Sequence, residues 1–235
     1  MARRIIVAIL VFLLSSVTAE ASGRRAYKSS GYLASVGLSS GITFHAPFND
    51  NSSPLKINIG SGSFTYLDPV DNVLTIDSPT GADLRTAGGT LYEPIANINW
   101  AVGSMIATVS RYTLASNTVF RPVPGASSTY FIFEFISATT LDFYYGILAN
   151  HVSVSSTDNN FHTVGITWTQ NGQYCVCIDG GTPACGTHSG ALYSTGSSSS
   201  QLGTQATEDL RGYLRDHFIW GRALSNDELK AATKR

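Results

Sequence analysis

Hydrophobic and polar positions alternate most regularly in the middle of the chain. From Tyr130 to Ile136, Phe131, Phe133 and Phe135 fall on one side of a period-two pattern, with Tyr130, Ile132, Glu134 and Ile136 on the other. Leu141 to Ile147 repeats the arrangement, setting Leu141, Phe143, Tyr145 and Ile147 against Asp142, Tyr144 and Gly146. Both segments predict strands that turn a row of large apolar side chains to a core. A second regular stretch runs from Asp158 to Gly181. Its runs Phe161 to Trp168 and Tyr174 to Ile178 are rich in β-branched and aromatic residues, and Asn171-Gly172 between them tolerates positive φ. This predicts a β-hairpin. Asp179-Gly180-Gly181 predicts a further reversal, into a third strand through Thr182 to Cys185. In the first of these strands His162, Val164, Ile166 and Trp168 share one face; Thr163, Gly165 and Thr167, all small or polar, share the other.

The remaining strand candidates are shorter and separated by turn residues: Gly41 to Phe48, Lys56 to Ile59, Phe64 to Leu67, Val73 to Ile76 and Trp100 to Tyr112. Such spacing favours a β-sandwich over alternating strand–helix units. Thr80 to Pro94 reads as a Gly-rich loop and Ser194 to Ser200 as a Ser-rich one. Near the end, Ser225-Asn226-Asp227-Glu228 is a capping box that starts a short helix over Leu229 to Thr233.

At 235 residues, 43% of them hydrophobic and 13% charged, the chain is long enough for one sizeable core. The net charge of −1 conceals an uneven distribution: between Ser29 and Leu210 there are 12 acidic residues against four basic ones, Lys56, Arg85, Arg111 and Arg121. An acidic body of this kind lacks the basic footprint of a nucleic-acid binder. At the N-terminus Arg3-Arg4, the apolar run Ile5 to Leu14 and Ala19-Glu20-Ala21 predict a signal peptide over residues 1–21, with cleavage before Ser22. The apolar run is too short to span a bilayer. Residues 22–40 then read as a flexible leader or an arm toward another subunit, and residues 41–235 as one domain. The expected localisation is extracellular, cell-surface or periplasmic.

Export gives the three cysteines a context. Cys185 is expected to form a disulfide with Cys175 or Cys177 across the Asp-Gly-Gly turn, whereas Cys175 and Cys177, two apart on one strand, do not easily bridge each other. A metal site on these cysteines with His188 is a thinner alternative. Asn51-Ser52-Ser53 is a glycosylation sequon, meaningful for a eukaryotic source.

Two stretches carry a family resemblance. Phe161-His162-Thr163-Val164-Gly165-Ile166-Thr167-Trp168, followed by Cys177-Ile178-Asp179-Gly180, resembles a signature of laminin G-like and pentraxin-like domains. Phe161 stands where that family usually has Trp, Thr163 where it often has His, and Cys177 where it often has Tyr. Gly212 to Ser225 resembles the family's closing strand and the start of its terminal helix. The resemblance implies an all-β, antiparallel jelly-roll sandwich of the concanavalin A-like lectin/glucanase superfamily, with a short C-terminal helix. It also implies a possible calcium site where first and last strands meet, for which Asp50 and Asp216 are the candidate ligands.

For function the sequence supports first a secreted, non-catalytic carbohydrate-binding or adhesion module, with a glycan or cell-surface polysaccharide as partner. Its candidate ligand-binding residues are Tyr130, Glu134, Asp142 and Tyr144, which alternation places opposite the Phe face: rings stack on a pyranose and carboxylates accept its hydroxyl hydrogens. A half-exposed sheet that uses Tyr for its β-propensity is the plainer account of the same residues. A structural subunit of a virion or surface assembly, packed against neighbouring subunits, is a second reading. A glycoside hydrolase is a third, but it needs two carboxylates about 5 to 5.5 Å apart for retention, and no Glu-x-Asp-x-Glu strand supplies them.

Overall fold

The computed structural model describes residues 30–48, 58–61, 64–67, 76–77, 81–85, 90–93, 98–111, 117–122, 130–156, 158–190, 200–202 and 210–234. The expected signal peptide, Asp50, the Asn51 sequon and the greater part of the Ser-rich loop lie outside these residues.

The described elements in chain order are α1 (Ser30–Ser35), β1 (Ile42–Ala46), β2 (Thr65–Leu67), β3 (Ile76–Asp77), β4 (Gly81–Asp83), β5 (Thr90–Glu93), β6 (Val102–Arg111), β7 (Asn117–Pro122), β8 (Tyr130–Phe135), β9 (Thr140–Gly146), β10 (His151–Ser155), β11 (His162–Thr169), β12 (Gln173–Ile178), β13 (Ala184–Thr187), β14 (Ser200–Leu202), β15 (Gly212–Trp220) and α2 (Asn226–Thr233). The strands form two antiparallel sheets. Sheet I has eight strands in the order β13-β12-β11-β6-β15-β4-β3, with β1 also paired to β15; sheet II has seven in the order β10-β9-β8-β7-β14-β5-β2. The fold is an all-β sandwich with a short C-terminal helix.

The hairpin expected at residues 161–178 is β11–β12, in the register Val164–Ile178 to Trp168–Tyr174, and Asn171 takes φ +54° at its turn. The third strand forms slightly later than expected, as β13. Two expectations are corrected. Thr80 to Pro94 is not loop throughout: it contains β4 and β5, edge-ward strands of three and four residues that are too short to display alternation. The Ser-rich loop gives way at Ser200 to β14, which pairs with β5 and β7.

Between the sheets, Phe131 meets Trp168 at 4.9 Å, Trp100 at 5.4 Å and Phe143 at 5.2 Å in T-shaped contacts. Phe133, Phe135, Leu141 and Tyr145 from sheet II join Met105, Val109, Val164, Ile166, Val176 and Ile219 from sheet I in the same buried cluster. The phenylalanine face thus fills the core that its alternation predicts.

The outer face of sheet I is buried as well. Ile106, Cys175, Cys177, Phe218 and Trp220 form a second cluster with Leu224, Leu229 and Ala232 of the C-terminal segment and with Leu33 and Leu38. Residues 30–38, within the stretch expected to be a mobile leader, therefore pack on the sandwich, and Trp220 Nε1 donates to the Leu38 carbonyl at 3.0 Å. The small face of β11 now has a physical reason. A Cβ on Gly165 would collide with Ile106 and with Thr233 of α2, so helix and sheet approach this closely only over glycine. Ser104 Oγ donates to Thr167 at 2.9 Å and accepts from the Leu224 N–H at 2.8 Å, which pairs the polar groups this packing buries. The capping box at Ser225 forms as expected, and Arg222 holds Glu228 through two hydrogen bonds of 2.9 and 2.7 Å.

Candidate functional site

The candidate residues sit on the outer face of sheet II, where β8, β9 and β10 form a meander. The turn between β9 and β10 closes through Asn150 N–H to the Ile147 carbonyl at 2.9 Å, after Gly146 at φ +89°. The His188 ring occupies the space a Cβ on Gly146 would fill, so both conformation and packing demand glycine there. That turn sets the register. Across the three strands, Glu134 faces Asp142, which faces Ser153; one row along, Ile132 faces Tyr144, which faces His151. Tyr130 stands at the register position opposite Gly146.

Three of the four sequence-derived residues, Glu134, Asp142 and Tyr144, thus occupy adjacent positions on one face. Their environments differ. Tyr144 and Glu134 are half-buried, whereas Asp142 is 0% exposed. Its Oδ2 is 3.0 Å from His151 Nδ1, and its Oδ1 has no hydrogen-bond partner. The His151 side chain is 44% exposed, and its ring stacks on Tyr144 with centroids 5.1 Å apart and planes 21° apart. Facing a carboxylate, which only accepts, Nδ1 is the donor of this hydrogen bond. The result is a two-ring platform, Tyr144 on His151, fixed from below by a buried carboxylate and flanked by Glu134. Such a surface can stack an apolar sugar face and accept hydroxyl hydrogens at its rim.

His151 was missed in the sequence, although a signal was present. His151-Val152-Ser153-Val154-Ser155 alternates strictly, and a hairpin closing at Ile147–Asn150 puts His151 opposite Tyr144.

The other histidines have structural neighbours. His162 is clasped between Asp179 Oδ2 at 2.6 Å and Asp158 Oδ1 at 2.9 Å, joining the entrance of β11 to the turn after β12. Arg111 reinforces that end, donating to the carbonyls of Ser137, Ala138 and Asp158 with its guanidinium 4.1 Å from the Phe135 ring centroid. His45 stacks on Phe218 at 3.9 Å, and burial together with nearby His217 pushes it down to a pKa of about 4.

The cysteine expectation resolves to one pairing: Cys175 and Cys185 form the disulfide, and Cys177 is free and buried, its Sγ 3.1 Å from Thr233 Oγ1. Of the two candidate calcium ligands, Asp50 lies outside the described residues. Asp216 is buried at a bulge in β15, at φ +46°, where its N–H meets the Pro47 carbonyl at 3.4 Å. β1 and β15 do lie side by side there. Among the described residues no group of three His, Cys, Asp or Glu side chains is placed to hold a metal ion.

No family model matches the chain, and no curated protein matches it. Solved structures do. Trypanosoma rangeli sialidase in complex with sialic acid superposes with a TM-score of 0.60 at 16% identity, over 82% of this chain and 32% of that one. The binding domain of botulinum neurotoxin DC in complex with SialylT gives 0.58 at 13% identity, over 81% of this chain and 50% of that one. The binding domain of botulinum neurotoxin serotype C1 gives 0.57 at 15% identity, over 81% and 51%. The chain therefore spans about a third of the sialidase and half of the neurotoxin domains. At these identities the likeness establishes the fold class, a two-sheet antiparallel sandwich.

Proposed function

We propose that the chain is an exported, non-catalytic carbohydrate-binding module of the laminin G-like kind, binding glycans on the outer face of β8–β10. The observation that carries this reading is the stacked Tyr144–His151 pair, anchored by buried Asp142 and facing away from the phenylalanine core. In it Tyr144 stacks on the sugar, Glu134 accepts hydroxyl hydrogens, and Asp142 orients His151 rather than touching the ligand. The neurotoxin binding domain and the sialidase, both solved with sugar-containing ligands, support a carbohydrate role for a sandwich of this shape. The hydrolase reading needs two carboxyl groups reaching one sugar, and the burial of Asp142 leaves Glu134 alone on this face.

The test is a glycan array probed with the chain beginning at Ser22, in calcium and in chelator. The expected result is retention on a subset of glycans that Tyr144→Ala abolishes while the thermal melt stays cooperative. Retention unchanged by Tyr144→Ala would move the site elsewhere. Retention lost in chelator would support calcium at Asp50 and Asp216. N-terminal sequencing of the exported protein, expected to start at or near Ser22, tests the export reading.

A further inference from the structure

At the end of the sandwich where β9 turns into β10, four segments are tied together. Gln170 N–H donates to the Ala101 carbonyl at 2.7 Å, His188 N–H to the Gly172 carbonyl at 2.9 Å and Gly190 N–H to Asn171 Oδ1 at 2.8 Å, while Asn150 Nδ2 lies 2.8 Å from His188 Nδ1. The segments 98–101, 147–150, 169–172 and 188–190 contain no Asp, Glu, Lys or Arg. Charged residues toward this end stand on other elements: Glu93 on β5, Arg121 on β7, and Arg222 and Glu228 beyond β15, paired with each other. The segments of the opposite end carry Asp83, Arg85, Arg111, Asp158 and Asp179. At the tip of the uncharged end Ile147 and Leu148 are 47% and 55% exposed, the most exposed large hydrophobic residues among those described, with exposed Ala149 beside them. The turn holds them out in water. Asn150 N–H donates to the Ile147 carbonyl and Tyr145 N–H to the Asn150 carbonyl at 3.0 Å, and the buried His188 ring packs on Gly146 at the base. Aliphatic side chains ringed by groups without formal charge gain from leaving water and strand few polar groups in doing so.

Resting on the glycan reading above, we infer that the Ile147–Leu148 tip enters the bilayer that carries the glycan, so that the chain reads glycans borne on lipid headgroups. Tyr144 precedes Ile147 by three residues, which at the rise of a strand places the platform about 10 Å from the tip. A sugar held on Tyr144 and the lipid surface beneath it are therefore both within reach of one rigid turn. Two side chains fall far short of the roughly 800 Å² per partner that a stable protein interface buries, whereas a lipid surface needs no complementary shape. Burying the exposed remainder of both side chains strengthens binding on the order of thirtyfold. That is less than the marginal hold of a single myristoyl chain, so a bare bilayer does not retain the chain. Tip and platform engaged on one surface multiply their effects.

The experiment compares retention on each array glycan linked to a polymer support with retention on phosphatidylcholine vesicles that display the same glycan on a lipid at equal density. The wild-type chain is run beside Tyr144→Ala, Leu148→Ser and the double variant Ile147→Ser, Leu148→Ser. The wild type should hold a retained glycan at least tenfold more tightly on vesicles, and bare vesicles should not hold it. The double variant should lose that advantage and Leu148→Ser a part of it. Both should keep wild-type retention on the polymer and a cooperative melt, since the turn closes through backbone groups. Tyr144→Ala should lose retention on both displays. Equal retention on the two displays, or a vesicle advantage that survives the double substitution, would overturn the inference while leaving the platform in place. So would a dimer in sedimentation that the double variant loses, which would assign the tip to a second copy of the chain. Retention indifferent to Tyr144→Ala, or none on any probe, would overturn the glycan reading and this inference with it.

Discussion

The two outer faces of the sandwich obey the same alternation and meet opposite fates. On β11 of sheet I the outward residues are small or weakly polar, Thr163, Gly165 and Thr167, beside the larger Ile106, Phe218 and Trp220 of neighbouring strands, and α2 with the Leu33–Leu38 segment covers much of that face. On the outward rows of β8–β10 in sheet II, Glu134, Tyr144, His151 and Ser153 keep contact with solvent while Ile132 and Asp142 between them are buried. A strand face of glycine and short hydroxyls leaves room for a helix at close range; a face of rings and carboxylates does not. The difference teaches that polarity alone does not mark an exposed sheet face, since side-chain size matters as much.

Breaking the covered face should have the largest effect. Trp220→Ala removes a fully buried indole that ties sheet I to the Leu38 carbonyl, and chemical denaturation should show a loss of about 3–5 kcal/mol. Glycan retention by the fraction that stays folded should be unaffected, because the two faces are separated by the core. Acid comes next. His45 is held at a pKa of about 4 in the folded chain against 6.5 when unfolded, so the unfolded chain takes up this proton first as pH falls. The contribution is complete above pH 6.5 and is lost toward pH 4, by roughly 3 kcal/mol in all. Urea melts across that window should show the slope, and His45→Gln should flatten it. Glu228, held down to about 2 chiefly by Arg222, contributes stability that disappears only from pH 4.5 toward 2, so the two groups separate by window.

Breaking the Cys175–Cys185 bridge, which closes a span of 10 residues, should cost about 2–3 kcal/mol. Melts of a Cys175→Ala, Cys185→Ala chain measure it directly. The smallest stability effect belongs to the open face. Tyr144→Ala should change the unfolding free energy by no more than about 1 kcal/mol, the scale of one half-exposed stacking contact, while removing glycan retention.

Much of this architecture was legible in the sequence because it rests on alternation and turn chemistry. The β8–β9 and β11–β12 pairs and the capping box of α2 carry such signals, as does the burial of Phe131, Phe133 and Phe135, whereas β15 was read from a family resemblance. The short strands β4, β5 and β14 did not show, because segments of three or four residues have no measurable period and form through pairing with their neighbours. The helix cover over Gly165 was equally hidden, since it depends on contacts between residues 60 or more apart in sequence. At the candidate site alternation gathered Glu134, Asp142 and Tyr144, but it could not show that Asp142 is enclosed and Glu134 is not. That distinction follows from the hydrogen bond to His151 on the next strand, a partner set by the turn at Ile147–Asn150.

The most direct measurement of the central claim is a backbone and side-chain chemical-shift map of the folded chain titrated with a glycan that it retains. The account predicts saturable shifts concentrated at Glu134, Tyr144, His151 and Ser153, with Thr163, Gly165 and Thr167 under α2 unmoved. Shifts confined to the sandwich-end loops or to sheet I, with Tyr144 and His151 silent, would contradict it.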